Sequence, residues 1–348
     1  MTTRLTAIAL AAAAAFFAAD AFAEAPKKQY PPRSSLTRRA AAAKQKPAAK
    51  PQPAKSAAMQ RQKAKAAQPA APTPYRKSPY VGVIAVDAAT GRVLFSDNSA
   101  AKAYPASVTK LMTAFLVLED VRAGRLLLSD KITASPVKSR TDAHYRQPSC
   151  VGLKAGESMD LDSMLKALLV HSANDAAIFI AERCSGSVEA FVARMNEKAA
   201  SLGMASTRYF NPNGLPPPAN AKERNFNFST CEDQAKLAVA ILAQCPEILR
   251  YTSLKTCDMV FPDGRSQRFI NHNNVMVKNK LKVMNPDGTE AVDGLKTGYI
   301  NAGGSSVVLT GKRAGKRVVV VVLGSSSSAE RDEVAATRMA DALDAVNL

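Results

Sequence analysis

The hydrophobic pattern changes character along the chain. Residues 5–19 form a nearly unbroken apolar run, rich in alanine and including Leu5, Ile8, Leu10, Phe16 and Phe17. Residues 24–77 carry almost no branched or aromatic side chains, so neither a helical nor a strand period can be read there. From Tyr80 the chain reads as ordinary globular sequence. Val81, Val83 and Ala85 alternate with Gly82, Ile84 and Val86, then Asp87-Ala88-Ala89-Thr90-Gly91 supplies turn chemistry and Arg92 to Phe95 resumes an extended run. This predicts a β-hairpin. Pro105 suits a first helical turn, Leu111, Phe115 and Leu118 recur at helical spacing, and Gly124 marks a stop.

A helical stretch follows over residues 161–202. Asp160 is its first cap, Asp175 opens a second piece, and Ser187 caps a third that holds Phe191 and Met195 and stops at Gly203. Thr230 with Asp233 opens another helix through Leu237 and Ile241 to Pro246, after a Pro- and Asn-rich loop over residues 211–224. The end returns to strands. Residues 305–310 and 317–323 are β-branched runs with a hairpin loop at 311–316, and a last helix over 329–345 sets Val334, Met339 and Leu343 on one face. Strands, helices, strands, helix: this order predicts an α+β fold. One central antiparallel sheet is made from both chain ends and flanked by helices, with an all-helical lobe inserted. Residues 78–348 read as one catalytic domain.

Charge separates the first 77 residues from the rest. The chain has net charge +18, from 47 basic and 29 acidic residues. Residues 24–77 hold 14 Lys and Arg against Glu24 alone, so most of the excess lies there. Such a Pro/Ala/Lys segment cannot bury enough apolar surface to offset its ordering entropy and reads as a disordered linker. Arg4, the apolar run and Ala21-Phe22-Ala23 form an export signal over residues 1–23. The expected location is therefore periplasmic or otherwise extracytoplasmic, with membrane association if the leader stays uncut. In that setting the basic segment would meet anionic envelope polymers or a membrane surface rather than nucleic acid. The five cysteines show no C-x-x-C spacing, and no metal or cofactor is expected. As an odd set, they cannot all pair within the chain. Cys231 and Cys245 lie too far apart on one helix to bridge, whereas Cys245 with Cys257 is sterically conceivable.

Three motifs carry the chemistry: Ser107-Val108-Thr109-Lys110, Ser172-Ala173-Asn174 and Lys296-Thr297-Gly298. Each alone is weak; the three in this order are strong. Ser107 and Lys110, three apart at a helix start, share one face. A serine hydroxyl is a poor nucleophile until a base takes its proton. A lysine serves as that base only when burial or a second cation, here Lys296, lowers its pKa. Ser172-Ala173-Asn174 falls at a break between helices, where Ser172 would relay a proton and Asn174 would bond Lys110 and the substrate backbone; the bland alternative is a helix cap. Lys296-Thr297-Gly298 precedes strand-like sequence. On a sheet edge, Gly298 would let a substrate lie close as an added strand, and Lys296 and Thr297 would grip a carboxylate. The N–H groups of Ser107 and Tyr299 would form an oxyanion hole.

With these motifs the chain resembles the low-molecular-mass penicillin-binding proteins, the D-alanyl-D-alanine carboxypeptidases of serine peptidase family S11. The resemblance spans residues 80–348. Its other supports are Leu153-Lys154-Ala155-Gly156-Glu157, Asn174-Asp175-Ala176-Ala177, Asn211-Pro212-Asn213-Gly214-Leu215-Pro216, Ser229-Thr230 and Val292-Asp293-Gly294. It implies a β-lactamase/transpeptidase-like fold. It also implies Ser107 as acylating nucleophile, Lys110 as general base, Ser172 and Asn174 in the second motif, and Lys296 with Thr297 for the substrate carboxylate. The implied substrates are peptidoglycan stem peptides, which lose their terminal D-Ala through an acyl-enzyme, with β-lactams as covalent inhibitors. Departures from the family pattern are Ile300 where Thr is frequent and a bulkier stretch over residues 140–149, with His144, Tyr145 and Arg146. The chain ends some 50 residues after Gly298, as endopeptidase members do, which makes cross-link cleavage an alternative. A β-lactamase would need an E-x-x-L-N acid, for which Glu223 is a near miss. A non-catalytic envelope-binding protein is a further rival. A Ser-His-Asp hydrolase is disfavoured: G-x-S-x-G is absent, and of the three histidines, His171 beside the second motif reads as structural.

Overall fold

A computed structural model describes residues 80–136, 149–218 and 221–347. The export signal, the whole linker and the stretch 137–148 lie outside these. β1 (Gly82–Asp87) and β2 (Val93–Asp97) form the expected hairpin, closed where Asp87 accepts from Ala89 N and Thr90 Oγ1. A 3₁₀ turn (Ala106–Thr109) leads into α1 (Lys110–Arg122). β3 (Lys131–Thr133) pairs with β4 (Ser158–Asp160). The helical lobe follows as α2 (Leu161–Leu169), α3 (Asn174–Ser185) and α4 (Val188–Ser201). Asp160 and Ser187 cap α2 and α4 as the sequence predicts, accepting from Ser163 N and Ala190 N. Gly186, at φ 77°, ends α3 in the left-handed conformation that a Cβ disfavours.

Thr230 caps α5 (Cys231–Gln244), accepting from Asp233 N. After α6 (Leu249–Thr252) comes a hairpin without a clear sequence signal, β5 (Thr256–Val260) and β6 (Ser266–Ile270), and then α7 (Asn274–Val277). The chain closes with β7 (Val292–Ile300), β8 (Gly304–Arg313), β9 (Lys316–Ser325) and α8 (Ser328–Ala345). The β8–β9 loop is shorter than expected. Both strands continue through the charged residues, and the turn is Ala314-Gly315 at φ 49° and 82°. This mirror-image turn matches the strand twist and needs only two residues.

The main sheet has the order β2-β1-β9-β8-β7, all antiparallel, so both chain ends meet at its centre. Val318 to Leu323 are all buried because both sheet faces are covered. Val318, Val320 and Val322 pack with Val83, Leu309 and, from α8, Met339 and Leu343. Val319, Val321 and Leu323 belong to the opposite core with Ile84, Phe115 of α1 and Leu237 of α5. Each such side chain contributes roughly 1.5–3 kcal/mol by leaving water. The central antiparallel sheet with its inserted helical lobe is the α+β architecture the element order predicts. The cysteine bridge is not formed: Cys245 and Cys257 are buried thiols that pack in the core. Among the described residues no helix is long and apolar enough to cross a membrane.

Candidate active site

The site lies where the start of α1, the α2–α3 break and edge strand β7 converge. Lys110 is fully buried, and its Nζ stands 2.9 Å from Ser107 Oγ, 2.7 Å from Asn174 Oδ1 and 2.8 Å from the carbonyl oxygen of Asn213. Desolvation, then the charge of Lys296, drives the Lys110 pKa well below that of a free lysine. As a neutral amine it keeps two donors for the Asn174 and Asn213 oxygens. Its lone pair is left for the Ser107 hydroxyl proton, so the Ser107 contact reverses and becomes O–H donating to N. These contacts unite the first two motifs. Neither Ser172, Asn174 nor Asp175 caps α3. That place is taken by Ala173, which has no side-chain bond to give, so the bland cap reading does not hold.

Ser172 is buried in the break at φ 63°, a strained conformation for a serine, and makes no hydrogen bond to Lys110 or Lys296. The buried Asp175 is a brace: its carboxylate accepts from the N–H groups of Val151, Gly152 and Ala176. Desolvation dominates over those bonds and raises its pKa. Ser149 joins the same brace by accepting from Asn174 N at 2.8 Å.

The third motif sits inside β7 rather than before a strand, and β7 is the edge of the main sheet. Gly298 also faces the nucleophile turn. A Cβ there would stand 2.5 Å from Pro105 O and 3.1 Å from the nitrogens of Ser107 and Val108. The missing side chain therefore lets β7 press against the nucleophile turn. Lys296 is buried, donates to Thr297 O at 3.1 Å, and has a pKa lowered to about 7 by desolvation and then by Arg331. Thr297 is buried beside it. The Tyr299 side chain is exposed and its hydroxyl donates to Asn301 Oδ1 at 2.8 Å, whereas Ile300 packs under Tyr104 and Ala106.

The sequence alone does not disclose the part that four residues play in the site. Asn213 holds Lys110 through its backbone; the signal was the Asn-Gly turn, because Gly214 has φ 82° and its Cβ would lie 1.9 Å from Ala106 O. Arg331 of α8, paired with Asp332, sets a second buried cation behind Lys296. Asp175 braces the α2–α3 break. His272 is exposed, its ring 5.8 Å from that of His171 between centroids. Desolvation, followed by the charges of Lys296, His171 and Lys110, lowers its pKa to about 4. His171 stacks on Phe269 at 4.1 Å, in keeping with the structural role expected for it. Glu223 is exposed and accepts from Asn225 Nδ2 on the surface. His144, Tyr145 and Arg146 lie outside the described residues. Among the described residues no cluster of His, Cys, Asp and Glu could hold a metal ion.

A half-buried serine beside a fully buried lysine, on a sheet with an inserted helical lobe, is the arrangement against which the comparisons are read. The family model described as "D-alanyl-D-alanine carboxypeptidase", peptidase S11, matches residues 73–327, and the chain belongs to this family. It is 32% identical over 260 residues to the D-alanyl-D-alanine carboxypeptidase DacF of Bacillus subtilis, covering 74% of this chain and 60% of that protein. DacC of Escherichia coli is 31% identical over 245 residues, covering 70% and 56%. The chain thus spans less than two thirds of either relative. Among solved structures, the D-alanyl-D-alanine carboxypeptidase DacD from Francisella tularensis superposes with TM-score 0.67 at 25% identity, covering 78% of this chain and 72% of that one. Penicillin-binding protein D2 from Listeria monocytogenes in its ampicillin-bound form gives TM-score 0.62 at 25% identity, covering 76% and 97%.

Proposed function

We propose that the protein is an exported serine D-Ala-D-Ala carboxypeptidase that trims peptidoglycan stem peptides and is trapped by β-lactams. The observation that carries this reading is the buried Lys110 amine 2.9 Å from Ser107 Oγ. Lys110 takes the Ser107 proton as Oγ adds to the carbonyl of the penultimate D-Ala. The oxyanion is held by the N–H groups of Ser107 and Tyr299. Collapse breaks the peptide bond, and the leaving amine of the terminal D-Ala receives the proton from Lys110 by way of Ser172. Water then hydrolyses the ester, giving its proton back along the same path. Lys296, in its charged form, and Thr297 hold the terminal carboxylate, while Asn174 bonds the substrate backbone. A β-lactam acylates Ser107 in the same way, but its leaving nitrogen stays tethered.

In this reading residues 1–23 direct export and 24–77 tether the domain at residues 78–348 near anionic polymers or headgroups. The test is D-Ala release from uncross-linked muropeptides together with fluorescent-penicillin labelling. Wild type should do both and Ser107→Ala neither. An unlabelled, inactive wild type overturns the proposal, and cleavage confined to cross-linked muropeptides replaces it with an endopeptidase.

A further inference from the structure

The second motif is held differently on its two sides. After Ser172 the backbone is pinned by hydrogen bonds: Ala173 N donates to Ala167 O at 2.9 Å, and Asn174 N to Ser149 O at 2.8 Å. Ser172 itself, at φ 63°, bonds neither lysine, so its hydroxyl does not fix the break. A residue in that conformation persists only where its surroundings over-determine it. Before Ser172 stands the half-buried His171. Its ring lies against Phe269 of β6, with centroids 4.1 Å apart and planes 26° from parallel. Phe269 is fully enclosed and meets Phe261 edge-on at 6.5 Å, so close packing leaves its ring one place to lie.

Strand β6 belongs to a separate two-stranded sheet, yet it is tied to the strand of the third motif. Asn271, the residue after β6, donates from Nδ2 to Leu254 O at 2.8 Å and to Thr252 O at 3.3 Å. Thr252 Oγ1 in turn donates to Asp293 O of β7 at 3.4 Å, and a Cβ on Gly294 would lie 2.6 Å from that Oγ1. Lys296 follows on the same strand. The Phe269 ring thus joins the frame that carries Lys296 to the residue preceding Ser172. We propose that Phe269 and His171 are positioning residues, whose stack holds Ser172 where it passes a proton to the leaving amine. The proton path rests on the function proposed above. Both rings act through Ser172. Without the stack, the segment before Ser172 loses its anchor and the left-handed backbone relaxes. The relay then fails, while the grip of β7 on the terminal carboxylate is untouched. The effect falls on kcat and spares KM.

The test measures D-Ala release from a pentapeptide by the full-length protein, as kcat per site titrated by exhaustive penicillin labelling. Phe269→Leu keeps an apolar side chain but loses the flat face, so kcat should fall about tenfold while KM stays within about threefold. His171→Leu should do the same, and His171→Phe, which keeps a flat ring, should stay within about threefold of wild type. Phe191→Leu, in the core of the helical lobe, is the control: it should lower Tm and leave kcat per site unchanged. Hydrogen exchange gives a second readout. The Ala173 and Asn174 amides should exchange about tenfold faster in Phe269→Leu and at the wild-type rate in Phe191→Leu. A kcat per site within about threefold of wild type in both Phe269→Leu and His171→Leu overturns the proposal. So does a His171→Phe variant as slow as His171→Leu, or unchanged exchange in Phe269→Leu. If wild type neither takes the penicillin label nor releases D-Ala, the parent reading fails, and exchange at Ala173 and Asn174 still decides whether the stack holds the break.

Discussion

Replacing Gly298 by alanine tests how closely the nucleophile turn depends on β7. The new Cβ would meet Pro105 O at 2.5 Å and the Ser107 and Val108 nitrogens at 3.1 Å, all backbone atoms that no side-chain rotation can move. Restoring ordinary contact, about 3.5 Å, separates β7 from the turn by roughly 1 Å. That movement carries Ser107 away from Lys110 Nζ and from the N–H groups on β7. A misplacement of this size costs about 10²-fold in rate. The overpacking itself costs about 1–3 kcal/mol, which in a domain of this size lowers Tm by roughly 2–4 °C per kcal/mol. The expected result is a folded protein whose second-order acylation by fluorescent penicillin falls about a hundredfold while Tm drops by less than about 12 °C. Gly264→Ala is the control. It has φ 82° but nothing within 4 Å of its Cβ, so it strains a distant turn and leaves acylation intact. Acylation of Gly298→Ala within threefold of wild type would refute the close-approach argument.

Other outcomes follow from the same geometry. Acylation should rise with pH as Lys110 loses its proton, its pKa lying well below the free value, and binding of a carboxylate substrate should fade above about pH 7 as Lys296 discharges. The pH profile of kcat/KM for a peptide should therefore be bell-shaped, and a flat profile over pH 5–9 contradicts both assignments. Asp175→Ala leaves the N–H groups of Val151 and Gly152 without their acceptor and should cost about 3 kcal/mol in a urea melt; a loss below about 0.5 kcal/mol denies it the bracing role. Lys110→Met keeps much of the side-chain volume but removes the amine, so penicillin labelling should fall by at least about 10³-fold in a protein that still folds. Retained labelling would show that another base serves Ser107.

Much of the fold was legible because its signals are local. Asp160, Ser187 and Thr230 bond to their own helices, so caps read from spacing alone reappear at the same residues. Serine and lysine three apart at a helix start likewise share a face whatever surrounds them. What escaped the sequence depends on partners distant along the chain. Asn213 acts through a carbonyl oxygen, a group every residue has, and Arg331 lies in an exposed-looking helical stretch until α8 packs against the sheet. Gly298 was recognised as a close-approach residue, yet the neighbour it approaches lies some 190 positions earlier in the chain. The β5–β6 hairpin was missed because its outward positions mix Thr256, Asp258 and Val260, which blurs the alternation.

Strand β1 pairs with β9, although nearly the whole folded chain separates them in sequence. A nascent polypeptide therefore emerges with its first strand joined only to the short β2. The centre of the sheet stays open until the residues of β9 have been synthesised. Long-range pairings of this kind are slow to form, because a large loop must close before any contact rewards it. Until then the nucleophile and edge strand β7 have no common platform to hold them together. Assembly of the reactive pocket is thus one of the last events in the life of the newly made molecule.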